Sequence, residues 1–141
     1  MILLDTCVLS ELARPHPDAA VLAWWDTVPE DKLWLSALTL GEIKKGVHLL
    51  DAGPRRERIG AWLDELRATF SDRILPVDEE VALRWGTISA ATRRAGRVRP
   101  PIDALLAATA LAHNLTLATR NVSDFEGMGV MLVNPWDVVS R

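Results

Sequence analysis

The sequence predicts an α/β fold: a three-layer α/β/α sandwich on a central parallel sheet of four to five strands. Short apolar runs, each closed by cap or turn residues, alternate along the chain with longer stretches of helical spacing. Strands separated by helices pair in parallel and need helices on both faces. No linker, internal repeat or low-complexity run breaks the alternation, so the 141 residues are expected to form a single domain, 1–141.

The elements follow in order. "MILL" is the first strand, closed by Asp5. "TCVLSEL" begins a helix with Thr6 in the N-cap role, and Pro15 and Pro17 interrupt it. "DAAVLAWWDTV" is a second helix and "KLWLS" a second strand. Ser36 caps the helix "ALTLGEIKKGVHLLDAG", which is expected to stop at Gly53-Pro54. In "RRERIGAWLDELRATF", Ile59, Trp62, Leu63, Leu66 and Phe70 recur at helical spacing. "RILPV" is a short strand. Asp78, Glu79 and Glu80 open a helix that carries Val81, Leu83, Trp85 and Ile88 and ends near Gly96. Pro100 and Pro101 suit the start of "PPIDALLAATALAHN", because a first-turn proline loses no helix bond. "LTLAT" is a strand, "RNVSDFEGMG" a loop of cap and turn residues, and "VMLVN" the last strand.

Composition sets further bounds. Apolar residues make up 49% and charged residues 25%, an ordinary globular balance. The net charge of −3 argues against nucleic-acid binding by overall charge and leaves the local distribution to decide. The single cysteine, Cys7, excludes an intramolecular disulfide and reads as a small buried apolar side chain in a reducing compartment. No basic segment precedes an apolar run at the start, and the run Ala104 to Ala112 falls far short of the ~20 residues of a membrane helix. A cytoplasmic protein without membrane contact is expected. His16, His48 and His113 show no ligand spacing. Trp24 and Trp25 cannot share one helix face, so one of them is expected at a surface or interface, whereas Trp34, Trp62 and Trp85 are expected in the core.

Four carboxylates stand apart from the other acidic residues. Asp5 closes the first strand, and the carboxyl ends of strands in an open parallel sheet are where ligands bind; as an isolated residue it serves equally as a helix cap. Glu42 lies between Leu38 and Gly46 on a stripe that does not plainly face solvent, though Lys45 stands at i+3 as an ordinary partner. Asp103 precedes "ALLAATALA", a helix apolar almost all round. The helix dipole tolerates it there, but a buried carboxylate still requires a partner. Asp124 follows the strand "LTLAT", where a turn aspartate is the plainer explanation.

If these side chains converge on one sheet edge, their charges conflict. Two charges about 5 Å apart repel by roughly 3 kcal/mol at an effective dielectric of 20. Such a cluster calls for a cation, and an all-oxygen donor set selects Mg²⁺ or Mn²⁺ over Zn²⁺. That site suits metal-assisted phosphodiester hydrolysis.

Four segments together resemble the PIN-domain family of metal-dependent ribonucleases, and within it the VapC/FitB toxins of prokaryotic toxin–antitoxin pairs. "ILLDTCVLSEL" is similar to the opening motif, "LTLGEIKKGV" to the second, "PPIDALLAATALAHNLTLATRN" to the third, and "TRNVSDFEGMGVMLVNPW" to a FitB-type ending. The resemblance spans essentially the whole chain and keeps the order of the motifs. It implies Asp5 and Asp103 as main Mg²⁺ ligands (Mn²⁺ as substitute), with Glu42 and Asp124 completing the catalytic pocket. It gives Thr6, Thr119 and Asn121 supporting places. A metal-activated water would attack the RNA phosphodiester in line. It also implies a homodimer, a higher-order complex with a small antitoxin bearing a DNA-binding domain, and an antitoxin segment laid across the toxin.

"RRAGRVRPP" places Arg93, Arg94, Arg97 and Arg99 just ahead of Asp103. They suit RNA phosphates or an antitoxin, and equally the dipole of a helix end. Lys44 and Lys45 read as a solvated face. Two other functions compete. An aspartyl-phosphate phosphatase usually wants a second Asp two residues after the nucleophile, where Cys7 stands. A non-catalytic PIN-like binding module would not need the full set of acids.

Overall fold

The computed structural model describes residues 1–137; residues 138–141, included in the predicted domain, lie outside them. Five strands form one sheet: β1 (Ile2–Leu4), β2 (Leu33–Ser36), β3 (Ile74–Leu75), β4 (Thr116–Ala118) and β5 (Leu132–Val133). Their order is β3-β2-β1-β4-β5, and every pairing is parallel. The helices are α1 (Thr6–Leu12), α2 (Ala19–Thr27), α3 (Ala37–Leu49), α4 (Pro54–Thr69), α5 (Glu79–Arg94) and α6 (Pro101–Ala112).

Strand alternation sorts the apolar residues to two faces. Leu4, Leu33, Leu35 and Ala118 pack with α1 to α4, alongside Val8, Trp24, Ile43, Leu63 and Phe70. Leu3 and Leu117 turn the other way and pack with Val81 and Ile88 of α5 and with the buried side of α6. Leu3, Leu4 and Leu117 are fully buried, each contributing about 1.5–3 kcal/mol. The sandwich and its parallel sheet are those the sequence predicts.

Four local expectations change. The α1 N-cap is Asp5, whose carboxylate accepts the Thr6 amide, so Thr6 is the first helical residue rather than the cap. The α3 helix ends at Leu49, and Pro54 opens α4 instead of stopping α3, since a first-turn proline has no amide to lose. Leu83 faces solvent at 67% exposure, because Val81, Ile88 and Thr92 form the buried stripe of α5. Trp24 is buried, while Trp25 packs partly buried against the same core. Trp34, Trp62 and Trp85 are only partly buried, each packed at a core edge.

One fixture had no sequence signal. Arg73, in the turn before β3, is buried. Its guanidinium donates to the carbonyls of Glu30, Leu33 (3.0 Å) and Thr69 (3.1 Å) and lies 4.7 Å from the Phe70 ring centre. It thereby ties the 3-10 turn Glu30–Lys32 and β2 to the end of α4. A buried cation is tolerated only when its donors are paired, as these are.

Candidate active site

In the sheet, β1 is followed outward by β2 and β3 on one side, and the chain returns to place β4 and β5 on the other. The order therefore reverses between β1 and β4, and the crevice beyond their carboxyl ends is the expected ligand position. Asp5 and Thr119 are the first residues past these two strands.

Asp5 uses both carboxylate oxygens. Oδ1 accepts the Thr6 amide at 2.8 Å, and Oδ2 accepts the Thr119 hydroxyl at 2.8 Å. The Asp5 amide continues the sheet by donating to the Ala118 carbonyl at 3.0 Å. The cap and site explanations of Asp5 thus describe one side chain seen from two sides. Thr119 is fully buried, and its Oγ1 also accepts the Asn121 amide at 3.1 Å. Asn121 itself is exposed, so its backbone rather than its side chain makes this contact.

Cys7 completes this corner. Its Sγ lies 3.7 Å from both Asp5 Oδ2 and Thr119 Oγ1 and accepts the Arg120 amide at 3.5 Å. It is half-buried in a polar corner rather than a purely apolar one. Burial and the Asp5 charge push its thiol above the usual range, so it stays protonated.

Glu42 sits one and a half turns into α3 and is exposed as a residue, but Thr6 Oγ1 donates to its Oε1 at 3.1 Å. With Leu38, Lys45, Pro76, Val77 and Ile102 it lines a cleft of about 520 Å³. Partial burial, then the charges of Asp5 and Asp103, push its carboxyl up, while Thr6 and Lys45 hold it down. Lys45 makes no ion pair with it among the described residues.

Asp103 lies half-buried in the first turn of α6. Burial pushes its carboxyl up, followed by the charges of Asp124 and Asp5, with Arg99 opposing. Asp124 is carried by a 3-10 turn, Val122–Phe125, anchored by the buried Phe125. The fold thus brings residues from four segments within electrostatic reach of one another: Asp5 with Glu42 and Asp103, Glu42 with Asp103, and Asp103 with Asp124. Among the described residues, no three His, Cys, Asp or Glu side chains stand close enough together to hold a metal ion between them. An open, all-oxygen set suits Mg²⁺, which keeps several waters and takes one or two carboxylates; it does not suit a structural zinc.

The arginines divide. Arg93 and Arg94 are exposed on the last turn of α5. The next two reach the turn after Asp124: Arg99 Nη2 donates to the Glu126 carbonyl at 3.4 Å, and Arg97 packs over Gly127. A Cβ at Gly127 would lie 3.5 Å from Arg97 Nη1, and its φ of +79° also favours glycine. None of the four arginines forms an ion pair among the described residues. Lys44 and Lys45 are exposed.

The profile of the PIN domain matches residues 2–128. The chain belongs to the PIN-domain family. Its relatives include the VapC ribonuclease Y4jK of Sinorhizobium fredii, 39% identical over 138 residues that cover 97% of this chain and 99% of the relative. Toxin FitB of Neisseria gonorrhoeae is 39% identical over 137 residues, covering 96% and 99%. Among solved structures, FitAcB from Neisseria gonorrhoeae superposes on this PIN-domain chain with a TM-score of 0.91 at 39% identity, covering 98% of this chain and 100% of the other. The FitAB complex bound to an IR36 DNA fragment gives 0.91 at 37% identity, covering 99% of each chain. No helix among the described residues is long and apolar enough to cross a membrane.

Proposed function

We propose that this PIN-domain protein is a Mg²⁺-dependent endoribonuclease, the toxin of a toxin–antitoxin pair, acting as a single domain over residues 1–141. What supports the reading is that Asp103 lies within electrostatic reach of Asp5, Glu42 and Asp124, with Glu42 and Asp103 pushed up by burial and by their acidic neighbours. Relatives named as a VapC ribonuclease and as toxin FitB support the same reading.

Asp5 and Asp103 would hold the Mg²⁺, or Mn²⁺ in its place, with Glu42 and Asp124 closing the pocket. When bound, the ion supplies positive charge for the phosphate oxygens and makes a bound water more acidic. The chain's own residues orient the donors. Thr119 fixes Asp5 through Oδ2, Thr6 fixes Glu42 through Oε1, and the Asn121 amide fixes Thr119. Thr119 therefore acts on the carboxylate, not directly on the phosphate. The unpaired arginines 93, 94, 97 and 99 would meet RNA or the antitoxin.

The partner would be a small antitoxin with a DNA-binding domain, by analogy with the FitAB complex on DNA. A homodimer within a larger toxin–antitoxin complex, in the cytoplasm, completes the proposal. A ribonuclease assay on the purified chain with Mg²⁺, with Mn²⁺ and with chelator tests it. Cleavage that persists in chelator, or in both Asp5→Asn and Asp103→Asn, overturns the metal site; no cleavage under any condition overturns the enzyme.

A further inference from the structure

We propose that the cleft between α3 and the start of α6 is a subsite for one unpaired nucleobase of the RNA, the base next to the phosphate that is cut. This subsite rests on the ribonuclease reading and deepens it. The cleft, about 520 Å³ in volume, opens between Leu38 and Gly41 of α3, Pro76 and Val77 of the segment joining β3 to α5, and Ile102 in the first turn of α6. Val77 and Ile102 are 41% and 37% exposed, so the cleft has apolar walls that are open to solvent.

Charge enters the lining only from α3, through Glu42 and Lys45, which lie one helical turn apart. Lys45 pairs with no carboxylate among the described residues, so its ammonium is available to an acceptor in the cleft. Apolar walls with a donor at one side fit a nucleobase, whose faces are apolar and whose edge carries acceptors. Gly41 adds room. A Cβ built there would meet nothing within 4 Å, so no neighbour demands glycine, and glycine inside a helix is costlier than alanine. The missing side chain leaves the floor of the cleft open against the helix backbone.

The position favours a base of the cut strand over a protein side chain. Glu42 is a wall of the cleft and accepts Thr6 Oγ1, while the Thr6 amide donates to Asp5, so a single residue joins the cleft to the proposed metal pocket. On the other side, Ile102 directly precedes Asp103 in α6. A strand whose phosphate lies at Asp5 and Asp103 brings its neighbouring base to this opening, and the base must be unpaired to enter. An aliphatic side chain from a protein partner would meet the walls but leave Lys45 without an acceptor.

The test uses the purified full chain, Mg²⁺ and a single-stranded RNA oligonucleotide whose cut position is mapped first. The oligonucleotide is then remade with an abasic residue at each of the two positions beside the cut. For the parent, one of the two abasic forms should raise KM about tenfold, the scale of a lost base contact, with kcat moved less. Gly41→Leu fills the cleft with a good helix former and changes none of the four carboxylates. It should raise KM for the intact RNA by the same factor and cut intact and abasic forms alike. Its kcat on the abasic form should match the parent's, which shows that Glu42 is undisturbed. Val77→Ser, at an exposed position outside the helices, should shift the preference in the same direction and serves if Gly41→Leu does not fold. Anisotropy of the labelled oligonucleotides on Asp103→Asn protein, with and without Gly41→Leu, should repeat the pattern without cleavage. A parent that treats both abasic forms like the intact RNA, or a folded variant that keeps the parent's preference, overturns the subsite and leaves the ribonuclease standing. A changed oligomeric state in Gly41→Leu by light scattering, with its RNA preference unchanged, overturns it in favour of a second copy seated on the cleft. A parent that cuts no RNA removes the ribonuclease reading and the subsite with it.

Discussion

The Thr119 hydroxyl donates to Asp5 Oδ2 at 2.8 Å, joining residues 114 positions apart across the adjacent ends of β4 and β1. Thr119 has no exposure to solvent, so water cannot replace this bond. Thr119→Val keeps the shape and removes the hydroxyl. Two groups then lose a partner, Asp5 Oδ2 and the Asn121 amide, at a cost of about 1–3 kcal/mol. Mis-aimed metal ligands typically lose 10–100-fold in affinity or activity. Titrating cleavage against Mg²⁺ should show a higher requirement in Thr119→Val and recovery in Thr119→Ser. Equal Mg²⁺ curves for all three would mean that Thr119 is only packing.

Asp5→Asn should leave the fold intact. The substituted side chain keeps an oxygen for the Thr6 amide and remains able to bond Thr119. Cleavage should fall by at least about a hundredfold, the scale of losing a charged group from a pre-arranged site. Circular dichroism and a thermal melt check the fold, and a labelled RNA checks the activity. An unfolded Asp5→Asn protein would reduce Asp5 to a helix cap.

In chelator, the acidic cluster should make the protein less stable as pH rises. The folded state pushes the Glu42 and Asp103 carboxyls up, so it binds their protons more tightly than the unfolded chain does. Stability from these groups is full below the ordinary carboxylate range and is lost as pH climbs through their raised values. Asp103→Asn should therefore raise the melting temperature at neutral pH, and the gain should vanish at strongly acidic pH. Each kcal/mol relieved corresponds to roughly 3–4 °C at this chain length. Saturating Mg²⁺ should reverse the order of the two proteins, since an ion held by the folded state stabilises it. Melting curves from pH 3 to pH 8 check this, and a gain independent of pH would contradict it.

Arg73→Ala should destabilise the fold without touching the chemistry. It strips donors from the carbonyls of Glu30, Leu33 and Thr69 and removes the cation over Phe70. We expect a loss of about 2–4 kcal/mol by urea unfolding. At 25 °C, kcat should be retained for whatever fraction stays folded. A loss under 0.5 kcal/mol would show that water takes over these carbonyls.

The parallel sandwich was legible because short apolar runs and stretches of helical spacing alternate without interruption, and because caps such as Ser36 and Asp78 occupy their expected places. Of the four carboxylates, Asp103 stands out by itself, ahead of a helix apolar almost all round; Asp5, Glu42 and Asp124 each have an ordinary local explanation and stand out only through the order of the motifs that carry them. What escaped the sequence depends on contacts between distant segments. Nothing near Arg73 distinguishes it from the exposed arginines, since its burial is set by carbonyls some 40 residues earlier. The buried Trp85 Nε1 and Arg99 Nε, which have no hydrogen-bond partner among the described residues, are likewise a property of packing. Thr6 was read as a cap because its type suits one, but Asp5 already fills that position.

The neighbour relation of β1 and β4 also fixes when the site can exist. The strand that carries Asp5 leaves the ribosome first, yet one of its two sheet partners, with Thr119 at its end, is made only after more than 110 further residues. Until then Asp5 has no Thr119, and Asp124 is not yet made. Non-local pairing of this kind forms late. On the ribonuclease proposed above, chains arrested before Thr119 should show no cleavage at any Mg²⁺ concentration.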